Sequence, residues 1–192
     1  MGDEASEGTA ASQMIGDGGA PDEGGRIEDL PSCGNFDLRI AADGTWFYRG
    51  SPIGRQRLVK LFSTVLRREE DGRYWLVTPV ERGLIEVEDA PFVAVELSVN
   101  DQGPDQVVAL RTNLDDWVEV GPEAPLRVEQ DVDTGEPRPY VLVRDGLEAR
   151  LLRNVYYHLV EAAEPHRVAD RERLGVWSKG RFFPLDGPDP AS

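Results

Sequence analysis

Turn-forming residues cut this chain into short segments, and that punctuation restricts it to a sheet-rich architecture. Asp43-Gly44, Asp71-Gly72, Asn100 to Asp105, Gly121-Pro122, Asp133 to Pro137 and Ser178 to Gly180 each close off a stretch of strand length. Phe36-Asp37-Leu38-Arg39-Ile40 alternates apolar and polar, meets the Asp43-Gly44 turn and continues as Thr45 to Arg49, the pattern of a β-hairpin. Tyr74 to Pro79 reads as a buried strand. Leu84 to Val87, Phe92 to Val99, Gln106 to Leu110, Trp117 to Val120 and Leu126 to Gln130 read as an antiparallel meander, and Tyr140 to Val143 adds a further strand. Val176-Trp177 and Arg181 to Leu185 form a closing hairpin.

Two segments carry a helical period instead. After Ser51-Pro52, an N-cap residue followed by a proline suited to the first helical position, Leu58, Leu61, Phe62, Val65 and Leu66 form one apolar stripe. That helix is expected to end at Asp71-Gly72. Asp145 and Glu148 resemble a capping box that opens a second amphipathic helix over Leu147 to Ala162. The expected fold class is therefore α+β, with two related small domains that each pack an antiparallel sheet against one amphipathic helix.

Charge divides the chain unevenly. The formal net charge is -15, and residues 1 to 32 hold eight acids against Arg26 alone. That stretch lacks the large apolar residues needed for a core and is expected to be an acidic tail. The predicted organisation is 1–32 tail, 33–86 N-terminal α+β domain, 87–187 C-terminal β-rich domain with one helix, and 188–192 tail. An acidic body has no basic field with which to release counterions, so neither nucleic acid nor an anionic membrane is an expected partner. No apolar run approaches the roughly 20 residues of a membrane-spanning helix, and the acidic N-terminus is unlike a signal peptide, so a cytoplasmic location is expected. The lone Cys33 permits no internal disulfide and no cysteine-built metal site.

A search for repeats finds that a shift of 94 positions lays the first helical stripe on Leu152, Val155, Tyr156, Leu159 and Val160. The strands ending at Arg49 and Arg144 superpose at a shift of 95. Asp89-Ala90-Pro91-Phe92 and Glu123-Ala124-Pro125-Leu126 also match, but one follows its helix and the other precedes its helix, which weakens a simple tandem duplication.

Longer motifs point to a family. Trp46-Phe47-Tyr48-Arg49-Gly50-Ser51-Pro52-Ile53-Gly54-Arg55, Val77-Thr78-Pro79-Val80-Glu81, Val87-Glu88-Asp89-Ala90-Pro91-Phe92 and Arg111-Thr112-Asn113-Leu114-Asp115-Asp116-Trp117-Val118 resemble the bacterial domain-of-unknown-function family number 1285. The match runs from about Cys33 to Leu185. The resemblance implies two related domains, the second superficially like a pleckstrin-homology fold, a ligand site at their interface, and a signalling role. It implies no reaction.

Enzyme signatures are missing from the sequence: no G-x-S-x-G, no Walker loop, no H-E-x-x-H and no C-x-x-C. No catalytic residue, metal site or cofactor is assigned, and an enzyme is the less favoured reading. His158 beside the second helical stripe and His166 in an expected Pro165-His166-Arg167 loop are read as structural or surface residues. Cys33 lacks the electropositive setting that lowers a thiol pKa. Asp115 and Asp116 lie in a turn where such side chains usually bond their own backbone; Asn113 and Asp116 could equally hydrogen-bond a ligand while Trp117 stacks on it.

The first helix is the electrostatic anomaly. Arg55, Arg57, Lys60, Arg67 and Arg68 stand there with no acid among them. Cations near a helix C-terminus suit the macrodipole, but Arg55 and Arg57 fall in its first turn, where an anion is needed to offset them. Acids of the other domain, the acidic tail and a bound ligand are the three sources. The predicted ligand-binding set is Arg49, Arg55, Thr78, Glu81, Arg111, Asn113, Asp116, Trp117 and Arg144, around an anionic, nucleotide-like small molecule at the domain interface. The competing readings are a protein-interaction adaptor that docks through the basic helix or an exposed sheet edge, and a hydrolase using Glu81 or Asp116 with a recruited metal. Oligomeric state is not legible.

Overall fold

The structure, a computed structural model, describes residues 30–101 and 103–187. The acidic tail expected over 1–32 lies outside the described residues up to position 29, as do residues 188–192. Strand β1 (Ser32–Ile40) begins inside the expected tail, pairing Ser32 with Arg82. It turns at Asp43-Gly44 into β2 (Trp46–Tyr48), and Arg49-Gly50, both at positive φ, reverse the chain into β3 (Ser51–Pro52). Two successive left-handed residues make the tight turn that matches strand twist. Ser51 and Pro52 are therefore strand residues and not a helix start. Helix α1 (Gln56–Thr64) begins after Arg55, which caps it with extended backbone and no side-chain hydrogen bond.

Helix α1 also stops short of its expected end. Leu66–Arg68 is strand β4, paired across Asp71-Gly72 with β5 (Tyr74–Val77), which pairs in turn with β6 (Arg82–Val87). Strand pairing buries Leu66 completely; within the helix Phe62 is buried and Leu58 packs against the core as the stripe predicts, joined by Val59 and Ser63, while Val65 packs there from the C-cap. Leu61 is 45% exposed. The sheet order is β3-β2-β1-β6-β5-β4, antiparallel except where β1 runs parallel to β6.

The second sheet is built from β7 (Phe92–Asn100), β8 (Val107–Thr112), β9 (Trp117–Glu119), β10 (Leu126–Gln130), β11 (Pro137–Arg144) and β12 (Leu147–Leu151). Its order, β10-β11-β12-β7-β8-β9, is two antiparallel triplets joined by a parallel β12–β7 pair, and not a continuous meander. Asp145-Gly146 at positive φ form the β11–β12 turn, so Leu147 opens a strand and the proposed capping box does not form. Leu147, Ala149 and Leu151 are buried at alternate positions. Helix α2 is confined to Arg153–Glu161 and buries Val155, Tyr156 and Leu159. A third sheet of β13 (Glu164–Val168), β14 (Arg171–Ser178) and β15 (Arg181–Pro184) follows; His166, expected in a loop, is on β13 and packs between the Trp177 and Phe182 rings. His158 is exposed on α2.

Numbered within each sheet, the two six-stranded units share one order: third, second, first, sixth, fifth, fourth, with first and sixth parallel. The helices break the match, because α1 sits between third and fourth strands whereas α2 follows the sixth. The 94-residue superposition of helices therefore pairs elements in different topological places. Ala90-Pro91 and Ala124-Pro125 lead into the first and fourth strands of the same sheet. One continuous core, from Leu38 and Trp46 through Phe92 and Val141 to Leu185, runs through both units. The linker between β6 and β7 is anchored by Asp89, whose carboxylate accepts from Tyr140 Oη at 2.7 Å and Arg150 at 2.9 Å. Burial and that bond push the Tyr140 phenol up to about 12.

Candidate functional site

The β8–β9 turn is where the two units lock together. Thr112 Oγ1 accepts from the N–H groups of Leu114 and Asp116, and Asp115 adopts a left-handed backbone with φ of 65°. Asn113 bonds Val93 through both its backbone N–H (2.8 Å) and its side-chain oxygen (3.1 Å), and its Nδ2 donates to the Gly44 carbonyl at 3.3 Å. The Arg111 to Val118 motif thus belongs to a hairpin of the second sheet that reaches across to the first unit's Asp43-Gly44 turn. A Cβ on Gly44 would lie 2.6 Å from Asn113 Nδ2, so this approach requires glycine.

Charges close the seam. Lys60 Nζ on α1 reaches Asp115 Oδ2 at 2.7 Å, Asp115 Oδ1 accepts from Arg111 at 2.9 Å, and Arg111 also holds Glu96 at 2.6 Å. The Lys60 hydrogen bond and charge, reinforced by Arg111, hold the Asp115 carboxyl below its ordinary value. Arg144 donates to the Ser63 carbonyl in the last turn of α1 at 2.8 Å, lies 3.8 Å from Asp116, and stacks over Phe92. Of the predicted set, Arg111, Asn113, Asp116 and Arg144 are brought to one seam. Acids of the second unit, one of the three sources considered for the basic helix, thus offset Lys60 through Asp115.

The remaining predicted residues go elsewhere. Arg49 stacks on Tyr48 beside a recess of about 430 Å³ shared with Asp37, Arg39 and Glu86. It stands between the second and third strands of its sheet, whereas Arg144 is the last residue of the fifth strand of its own, so their apparent equivalence does not hold. Thr78 is buried in its own turn, accepting from Val80 and Glu81 and donating to the Glu81 carbonyl. Glu81 accepts from the Cys33 thiol at 2.7 Å, which holds that thiol above its ordinary value. Arg55 and Arg57 are exposed and have no ion-pair partner among the described residues. Arg67 and Arg68 have left the helix for β4. Among the described residues, no group of three or more His, Cys, Asp or Glu side chains is placed to hold a metal ion, and no helix is long and apolar enough to cross a membrane.

Sequence reasoning placed Trp117 on a ligand and left Lys60, Asp115, Ser63 and Gly44 outside the site. The acid-free helix was the available signal for Lys60; the left-handed backbone of Asp115 had none. Trp117 occupies β9, an edge strand, and is 51% exposed. It pairs with Arg111 across the ladder, on the solvent-facing side, while Val118 turns into the core. Around it an open recess of about 690 Å³ is lined by Val118, Glu119, Pro122, Glu123, Val143 and Lys179.

The comparisons with known proteins agree with the motifs read above. A family model described as "Domain of unknown function (DUF1285), N-terminal domain" matches residues 29–90, and "Protein of unknown function (DUF1285), C-terminal domain" matches residues 91–185. Among solved structures, the chain is similar to a DUF1285 family protein from Silicibacter pomeroyi DSS-3, with 46% identity over 92% of each chain and a TM-score of 0.78. A DUF1285 family protein from Shewanella baltica OS155 is 27% identical over 65% of this chain and 91% of that one, with a TM-score of 0.52. No curated protein matches. With both domain models in order along one chain, this protein belongs to the DUF1285 family.

Proposed function

We propose that this protein is a cytoplasmic protein-interaction adaptor with a signalling role, and that it docks partners at the β9 edge of its second sheet. The observation that carries the reading is Trp117: a large aromatic ring left half-exposed on an edge strand, above an open recess. Aromatic side chains dominate the energetics of protein interfaces, and an unpaired strand edge supplies main-chain hydrogen bonds to an incoming segment. The pleckstrin-homology likeness implied for this unit, six strands followed by a helix, belongs to the same proposal. Capture of partners from lysate by the wild-type chain, Trp117→Ala and Arg57→Glu tests it. A partner retained by Arg57→Glu and lost on Trp117→Ala supports edge docking; recovery unchanged by Trp117→Ala counts against it. Because Trp117 packs little, its removal should alter stability by no more than about 0.5 kcal/mol.

A second reading keeps the small-molecule site at the domain seam, favoured by the convergence of Lys60, Arg111 and Arg144 there. An anionic, nucleotide-like ligand would have to displace Asp115 and Asp116 from those cations. A thermal-shift screen of phosphorylated compounds checks it: stabilisation abolished by Arg111→Ala supports the site, and no shift from any compound removes it.

A further inference from the structure

The backbone of β9 defines what kind of segment can join it. Thr112 N–H donates to the Asp116 carbonyl and Val120 N–H to the Val108 carbonyl. By the alternation of antiparallel pairing, the polar groups of Asp116, Val118 and Val120 face β8. Those of Trp117 and Glu119 therefore point outward from the sheet, two N–H donors and two carbonyl acceptors with no hydrogen-bond partner given by the neighbouring strands. An extended strand is the structure that satisfies such a row.

Side chains around the edge add a charge requirement. Glu119 already holds Lys179 Nζ at 2.6 Å, whereas Glu123 lines the same recess without an ion-pair or hydrogen-bond partner among the described residues. Trp117, Val118, Ala124 and Val143 supply the apolar part of the lining of the recess. The acidic chain as a whole, at -15, favours the approach of a cation and opposes that of an anion. Resting on the adaptor reading, we infer that β9 takes up an extended peptide segment of a partner protein, with alternating aliphatic side chains and one lysine or arginine placed against Glu123. The aliphatic side chains cover Val143 and Trp117, the main chain pairs with Trp117 and Glu119, and the cation supplies the counter-charge that Glu123 lacks.

Selection of a random eight-residue peptide library on the full-length chain, followed by fluorescence anisotropy of the selected peptides, tests this. The expected peptides alternate aliphatic residues and are enriched in lysine or arginine at one register position. They bind Trp117→Ala about tenfold or more weakly than wild type, and selection on Glu123→Lys exchanges the basic residue for an acidic one. Peptides that depend on Trp117 but show no basic preference, and that ignore Glu123→Lys, would overturn the charge assignment while leaving edge docking intact. Peptides that bind wild type and Trp117→Ala alike, or a selection that yields no binder, would overturn both.

Discussion

Asp115 is the residue on which the two units share charge: it accepts from Lys60 of α1 and from Arg111 of its own hairpin. Its folded-state pKa lies below the ordinary value, so folding favours the ionised form. The stability this contributes is present above the ordinary aspartate range, about 3.9, and is lost as pH falls through the depressed value. Asp115→Asn should therefore lower the melting temperature slightly at pH 7. The gap to wild type should close as the pH is taken below the ordinary aspartate range, and should also shrink at 1 M salt, because the pair is solvent-exposed. Melting curves of both proteins at pH 7, 5 and 3 measure this. A gap of constant size across that range would show that the side chain acts by shape and not by charge.

Helix α1 shows at the level of elements how a plausible pattern yields to a longer-range one. Phe62 is buried and stacked on Trp46 with ring centroids 6.2 Å apart, while Leu61, one position earlier, faces solvent. Phe62→Ala should cost about 3–5 kcal/mol and Leu61→Ala no more than about 0.5 kcal/mol, as read from urea denaturation. Equal costs would restore the stripe inferred from spacing. The spacing misplaces the end of the helix because Val65 and Leu66 continue the helical period although β5 claims Leu66 as a strand partner, and no local residue announces that competition. The second helix is a different kind of miss. Asp145-Gly146 is a hairpin turn signal, and Leu147, Ala149 and Leu151 alternate, so the strand is legible locally although Asp145 and Glu148 also fit the spacing of a capping box. Most strand positions were legible because alternation and turn chemistry act over a few residues. The parallel seams β1–β6 and β12–β7 were not, because they join residues far apart in sequence. The same limit governs the site: Arg111, Asn113, Asp116 and Arg144 were singled out by residue type, but that Lys60 of α1 would hold Asp115 and that Arg144 would donate to the Ser63 carbonyl depends on packing between units.

At the level of the whole molecule, two sheets of identical strand order are fused through one core, and this decides how the protein unfolds. Leu38, Trp46 and Phe62 of the first unit belong to the same continuous apolar cluster as Phe92, Leu110 and Leu159 of the second. Units that share a core lose their packing together, so calorimetry should give one transition with equal calorimetric and van't Hoff enthalpies. Gly44→Ala makes that expectation sharp, because it strains the first unit's turn where that turn meets the second unit. The added methyl would sit 2.6 Å from Asn113 Nδ2 and 2.9 Å from Val93 Cγ2, at a backbone φ of +83° that favours glycine. Overpacking of this kind costs about 1–3 kcal/mol and the left-handed backbone about 1 kcal/mol more. For a chain of 192 residues that corresponds to a fall of roughly 4–16 °C. If the boundary is part of the cooperative unit, the single peak moves down intact. If the two sheets instead melt independently, two peaks are present already in the wild-type chain, and Gly44→Ala moves one of them and leaves the other in place.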